Sequence, residues 1–172
     1  MKVIIEGADL SGKTYAIERI AKKFNSGFII KNAYKPKSAE DSTKIYKQYW
    51  DIVDCIKRYN KDALVILDRF FPSQAVYSIL REVDEMKHPQ IQFLEQYCKD
   101  TNYKYIYLDT PLKVLEERYD KRGDEHIKKE QLLMLKERYD TFFELCTLDK
   151  IKINTLDEDW LTQVENFIEE KE

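Results

Sequence analysis

Cysteine is scarce in this chain, and so are glycine and proline: three, four and four residues in 172. Cys55, Cys98 and Cys146 are odd in number, lie far apart and fall in helical patterns. That argues against a disulfide framework and against a zinc site. It points to a reducing compartment, the cytoplasm, with each thiol a small buried hydrophobe. The few glycines and prolines sit mostly at turns, and no repeat, low-complexity tract or linker interrupts the chain. Residues 1–172 therefore read as one domain. A net charge of −3 provides no global basic field for a nucleic-acid duplex or an anionic membrane. No apolar run approaches the length of a membrane span, and the first residues read as a strand rather than a signal peptide. What is present is an ordinary balance, 43% hydrophobic and 35% charged, enough for a sizeable core.

Strand and helix patterns alternate along the whole length. "KVIIE" (2–6) is a short β-branched run, followed by a glycine turn and a helical stripe of Ile17, Ile20, Ala21 and Phe24. Gly27 reads as the stop of that helix, "FII" (28–30) as a second strand, and residues 31–41 as a polar loop. A long helix then carries Tyr46, Tyr49, Trp50 and Val53 on one face. "ALVIL" (63–67) is the most apolar strand, expected at the centre of the sheet with both faces covered. Ala75, Val76, Ile79, Leu80 and Val83 form the next helical stripe, and Pro89 suits the first position of another helix. "YKYIYL" (103–108) is a strand, and Thr110-Pro111 reads as N-cap and N1 of the helix after it. Leu132, Leu135, Tyr139 and Phe142 mark a further helix, "IKI" (151–153) a last strand, and Trp160 to Ile168 a closing helix. The alternation predicts an α/β fold: a doubly wound, parallel, five-stranded sheet of the P-loop type with helices on both faces.

With glycine this rare, two of the four in one eight-residue loop carry information. Gly7-Ala8-Asp9-Leu10-Ser11-Gly12-Lys13-Thr14 fits G-x-x-x-x-G-K-[ST], between a strand and a helix as that motif requires. Glycines permit a path in which successive N–H groups face phosphate oxygens, and the helix N-terminus adds partial positive charge. Gly7, Ser11, Gly12, Lys13 and Thr14 are therefore the candidate ATP-binding set. Lys13 would reach the β and γ phosphates, and the Thr14 hydroxyl would ligate Mg²⁺. A second acid for the metal is Asp68, delivered by the run 63–67 at its carboxyl end. Arg69 beside it can grip a second phosphate. The loop has Ser11 but no arginine of its own, so a catalytic arginine must come from elsewhere.

At this point the residues resemble a family. "DRFFPSQAVY" (68–77) is similar to the thymidylate kinase segment that opens Asp-Arg-Tyr, with a Ser and a Tyr at the spacing of Ser73 and Tyr77. "IIEGADLSGKT" resembles the start of the same family, including Glu6 and Asp9, and "YLDTPLKVLEERYDKRG" (107–123) its strand, proline and lid helix. The resemblance runs along the whole chain and implies a nucleotide kinase that uses ATP and Mg²⁺, a homodimer, and no membrane or duplex partner. It implies that Asp9 bonds the 3′-hydroxyl of a deoxyribose, Arg69 binds the acceptor phosphate, Tyr77 packs on the sugar and Ser73 stands by the pyrimidine edge. Tyr49 falls near the family's base-stacking aromatic. Arg118 and Arg122, at i and i+4 in a lid of about residues 118–130, would close over the transferring group beside Lys13 and Arg69. The loop after Gly123 is short of apolar anchors.

Three features depart from the family. "KNAYKP" stands in place of its Arg-Glu-Pro, Ser78 in place of a base-reading Gln, and "DEH" (124–126) in place of a further lid Asp-Arg. Gln48, Tyr49 and Trp50 each remain candidates for the base contact. No acid follows "FII" to serve as a general base, unless Glu40 or Asp41 folds back. A monophosphate acceptor, dTMP or dUMP, needs none, because its phosphate is already ionised. A deoxynucleoside kinase acting on a bare 5′-hydroxyl is the alternative, and a P-loop switch that binds nucleotide without a second substrate is another.

Overall fold

The computed structural model describes residues 1–25, 28–31, 42–58 and 63–170. The expected stop at Gly27, the loop beyond Lys31, and Glu40 and Asp41 lie outside these residues. Five strands, β1 (Lys2–Glu6), β2 (Phe28–Lys31), β3 (Val65–Asp68), β4 (Tyr103–Asp109) and β5 (Asp149–Asn154), form one parallel sheet in the order β2-β3-β1-β4-β5. The helices are α1 (Lys13–Lys23), α2 (Ser42–Arg58), α3 (Phe71–Tyr77), α4 (Pro89–Asp100), α5 (Leu112–Arg122), α6 (Leu132–Leu145) and α7 (Trp160–Glu169). This is the expected five-stranded, doubly wound sheet. The apolar run at 63–67 does not take the middle. β1 does, with Ile5 opposite Asp68 of β3 on one side and Ile106 of β4 on the other. β3 lies one place off centre and is still interior, with Val65, Ile66 and Leu67 buried.

The alternation of side chains along the strands divides the core in two. Val3, Ile5, Ile66, Ile106 and Leu108 pack against Ala16, Ile17 and Ile20 of α1 and Val164 and Ile168 of α7. Ile4, Val65, Leu67 and the three β4 tyrosines, Tyr103, Tyr105 and Tyr107, face α2 to α6. Both faces of every interior strand are covered, which is why these strands read as continuous apolar runs. The chain leaves β1 toward β2 and β3, then crosses to β4 and β5. That reversal opens a crevice at the carboxyl ends of the strands beside β1.

Several local readings change. The stripe expected to continue to Val83 ends early: α3 stops at Tyr77, one 3₁₀ turn covers Ser78–Arg81, and Glu82 is left-handed at φ 59°. Ser78 Oγ donates to the Ala75 carbonyl at 2.8 Å and accepts from the Glu85 N–H at 3.1 Å, and this local bonding draws the chain out of the helix. Thr110 does not cap α5. Its hydroxyl is taken by the Ser11 carbonyl (3.1 Å) and Thr155 Oγ1 (2.7 Å), and Pro111 is the cap residue. Cys98 and Cys146 are buried as expected, whereas Cys55 is exposed on the outer face of α2.

Gly7 leaves β1 at φ 154°, and a Cβ there would stand 2.7 Å from both the Leu108 carbonyl oxygen and Ser11 Oγ. The carbonyl belongs to β4 and cannot swing away as a side-chain tip does. Gly7→Ala should destabilise the fold by about 1–3 kcal/mol, the usual cost of overpacking, read as a lower midpoint in urea unfolding.

Candidate active site

β1 ends in a carboxylate. Glu6 has no exposed surface, and the loop of Gly7 to Gly12 turns directly above it. Gly12, left-handed at φ 93°, caps α1, a conformation that glycine adopts without steric cost. Lys13, the first residue of α1, folds back over the loop. Its Nζ donates to the carbonyls of Gly7 (2.8 Å) and Ala8 (2.7 Å) and to Ser11 Oγ (3.4 Å). Burial, with the Arg69 charge beside it, lowers its pKa to about 7 against the pull of Asp9, Glu6 and Asp68. The Thr110–Thr155 hydroxyl pair below holds the loop at the Ser11 carbonyl.

The end of β3 brings in the opposing cation. The Arg69 N–H donates to the Ile5 carbonyl at 3.2 Å, and Arg69 itself is left-handed at φ 68°. That conformation costs a residue with a side chain roughly 1–2 kcal/mol. Glu6 holds it in place: Oε1 accepts the N–H groups of Phe70 (2.7 Å) and Ser73 (3.2 Å). The Arg69 guanidinium donates through Nη2 to Asp9 Oδ1 at 2.5 Å and through Nη1 to Ser73 Oγ (3.0 Å) and the Tyr139 hydroxyl (2.8 Å). It lies over the Tyr77 ring at 5.0 Å, and the Tyr77 hydroxyl donates to Asp9 Oδ2 at 2.7 Å. Ser73 Oγ and the Tyr139 hydroxyl both donate to Glu6 Oε2, at 2.6 and 3.1 Å. Burial raises the Glu6 pKa, opposed by Arg69 and by these bonds. Three of the five Arg69 N–H donors are thus used, leaving two.

The sequence-expected residues divide on this frame. Lys13, Asp9, Arg69, Ser73 and Tyr77 come together. Asp68 is half-buried at the end of β3, and its side chain makes no hydrogen bond or ion pair among the described residues; Thr14 is exposed on the first turn of α1. A carboxylate and a hydroxyl suit a hard cation that keeps most of its shell from water and phosphate, so these residues fit magnesium. Among the described residues no cluster of three His, Cys, Asp or Glu offers a fuller cage. Arg118 Nη1 donates to the Leu10 carbonyl at 2.7 Å, in contact with the glycine loop. Arg122, one turn on, is exposed. Ile127 supplies an apolar anchor that was not expected in the segment after Gly123: it is buried, and its carbonyl accepts from the Tyr119 hydroxyl at 3.2 Å.

Two placements correct the sequence reading. Tyr49 does not reach the site; it is fully buried, and its hydroxyl donates to the Phe70 carbonyl at 3.2 Å, because α2 turns this face to the core. Ser73 offers no free edge to a base, since its hydroxyl points inward to Glu6. Trp50 is also largely structural, edge-on to Tyr97 with its N–H toward Gln90, and Gln48 is half-buried on α2. The sequence reading missed Tyr139 and gave Glu6 no role. The available signals were a charge closing an apolar central strand and a tyrosine on an apolar stripe, whose buried hydroxyl needs a partner.

The depressed Lys13 pKa has a consequence for stability. Between about pH 7 and 10.5 the unfolded chain holds a proton on Lys13 that the folded chain has lost. Stability linked to this group therefore rises with pH through that window. Lys13→Met removes the titration. Urea unfolding free energies measured from pH 6 to 10 should diverge in favour of the unmodified chain as pH rises; parallel profiles would return Lys13 to an ordinary pKa.

A family profile described as thymidylate kinase matches residues 44–168. No curated protein matches the chain. Among solved structures, the chain is similar to the YorR protein of Bacillus subtilis, described in complex with phosphorylated GDP (22% identity, 98% of this chain and 95% of that one, TM-score 0.77). It is similar to deoxyadenosine kinase from M. mycoides with bound dATP (18% identity, 99% and 100% covered, TM-score 0.66). It is also similar to thymidylate kinase from Candida albicans (18% identity, 98% and 90% covered, TM-score 0.63). At these identities the structures establish a shared fold. The profile match, over most of the chain, establishes the family: this chain belongs to the thymidylate kinases and is a nucleotide-directed phosphotransferase.

Proposed function

We propose that the chain transfers the γ-phosphoryl group of ATP to a deoxynucleoside monophosphate, dTMP or a close pyrimidine analogue. The supporting observation is the convergence of two cations, the buried Lys13 and the largely buried Arg69, at one mouth beside Asp9 and Asp68. Like charges this close favour a site that receives two anionic groups. Lys13 serves the donor's β and γ phosphates. The two unused N–H donors of Arg69 serve the acceptor phosphate, with Asp9 and Tyr77 at its sugar. An acceptor phosphate oxygen attacks the γ-phosphorus, the bond to the bridging oxygen breaks, and ADP leaves with the electron pair. Magnesium held by Thr14 and Asp68 would supply further neutralisation of the β and γ oxygens. The residues contribute position and charge, and no proton need be removed from an ionised phosphate.

An acceptor panel tests the reading. With ATP, turnover should appear with dTMP or dUMP and be absent with thymidine; turnover on thymidine alone would replace the proposal with a nucleoside kinase. Arg69→Ala should weaken binding of the monophosphate at least tenfold more than binding of ATP in calorimetric titration, the scale of a lost charged hydrogen bond. Equal losses would make Arg69 a donor-side or structural residue.

The lid gives a kinetic prediction. Arg118 already bonds the loop carbonyl of Leu10, and we assign it with Arg122 to the charge that spreads over the transferring group. Arg118→Ala should lower kcat about a hundred- to a thousand-fold, the range for one oxyanion donor, with a smaller change in KM. Arg122→Ala should also lower kcat. Lys121→Ala, on another face of α5, should leave kcat within twofold in steady-state assays.

A further inference from the structure

Tyr139 stands in α6, which continues the chain from the segment after Arg118, yet its hydroxyl lies in the Arg69 site. The ring is fully buried, stacked on Tyr107 (5.5 Å, 17°) and edge-on to Tyr77 (6.1 Å, 77°). The hydroxyl has three partners: Arg69 Nη1 at 2.8 Å, Ser73 Oγ at 3.0 Å and Glu6 Oε2 at 3.1 Å. A guanidinium only donates, so Tyr139 accepts from Arg69 and is left to donate to the carboxylate. Ser73 Oγ is arranged in the same way, accepting from Arg69 at 3.0 Å and donating to Glu6 at 2.6 Å. Arg69 and Glu6 are therefore not in direct contact. Two hydroxyls carry the attraction between a largely buried cation and a fully buried anion.

We infer that Glu6 and Tyr139 are positioning residues for Arg69, and that Tyr139 ties the orientation of this guanidinium to helix α6 and so to the lid segment before it. Three donors fall on Glu6 besides Tyr139: the Phe70 and Ser73 N–H groups and the Ser73 hydroxyl. The carboxylate is saturated, and the Nη1 edge of Arg69 is fixed against it. Its remaining donors are thereby kept for a ligand. A buried ion is weak as a source of stability compared with an apolar residue of the same size, but it enforces one geometry strongly. The same Tyr139 hydroxyl that fixes Arg69 belongs to the helix that begins directly after residues 123–131. A shift of α6 along its axis would change the Nη1 bonds before it changed any contact of Lys13, whose Nζ bonds only the glycine loop.

The inference rests on the assignment of Arg69 to the acceptor phosphate, and its test separates the two. Tyr139→Phe keeps the ring and removes only the hydroxyl. Ser73→Ala cuts the second bridge, and Tyr107→Phe alters the neighbouring ring, whose hydroxyl lies 3.5 Å from Asp109 in another network. Two readouts are taken on the full chain: the ¹⁵N-resolved side-chain N–H signals of Arg69, and the KM values for dTMP and ATP. Tyr139→Phe should shift the Arg69 signals and speed their exchange. It should raise the dTMP KM about tenfold, the scale of one charged hydrogen bond, with the ATP KM within twofold. Ser73→Ala should act in the same direction, and Tyr107→Phe should change neither readout. Unchanged Arg69 signals in Tyr139→Phe, equal movement of the two KM values, or an equal effect of Tyr107→Phe would overturn the inference. Altered Arg69 signals in a protein that phosphorylates no monophosphate would retire the acceptor assignment and uphold the positioning role.

Discussion

A carboxylate with no exposed surface, placed where the central strand ends, is the constraint on which the rest of the site depends. Glu6 collects the Phe70 and Ser73 N–H groups, the Ser73 hydroxyl and the Tyr139 hydroxyl. Those four bonds join three parts of the chain that are distant in sequence: the end of β1, the turn from β3 into α3, and α6. Without them the left-handed backbone at Arg69 would keep only its bond to the Ile5 carbonyl, and the hydroxyls that hold the Nη1 edge of the guanidinium would lose their anchor. A residue of ordinary size and no charge at position 6 could fill the space but could not accept these donors.

The same crevice gathers charge of both signs in little water. Burial and then the Arg69 charge depress the Lys13 pKa, while Asp9, Glu6 and Asp68 oppose them. Arg69 and Asp9 form an ion pair in which each side chain is only about a fifth exposed or less (17% and 20%), so the attraction is screened weakly. Lys13 meanwhile spends its donors on the carbonyls of its own loop. Phosphate oxygens are stronger acceptors than those carbonyls and carry the opposite charge, so a ligand with two phosphate groups would relieve the repulsion between Lys13 and Arg69.

Much of this was legible in the sequence, because the features concerned are local. The glycine loop declares itself by residues 7 to 14, short apolar runs marked the five strands, and apolar stripes or a proline start marked the seven helices. The Asp68–Tyr77 segment held its spacing because α3 sets Ser73 and Tyr77 one turn apart. What escaped has long-range causes. Tyr139 bonds Glu6 from 133 residues away, and nothing near position 139 distinguishes that tyrosine from its apolar neighbours. Thr110 looked like a helix cap and instead holds the glycine loop, a role fixed by the closeness of Ser11 and Thr155 in space. Tyr49 lies on a helix face that seemed equally suited to a base or to the core, and only the packing of α2 on Phe70 decides between them.

The central claim is that donor and acceptor phosphates meet between Lys13 and Arg69. A bisubstrate analogue, adenosine and thymidine joined through a chain of five phosphates, tests it most directly by calorimetric titration in the presence of magnesium. Because one molecule would occupy both halves of the crevice, it should bind at least a hundredfold more tightly than ATP or dTMP alone, with a stoichiometry of one per chain. Binding no tighter than that of ATP, or undiminished binding to Arg69→Ala, would contradict the account.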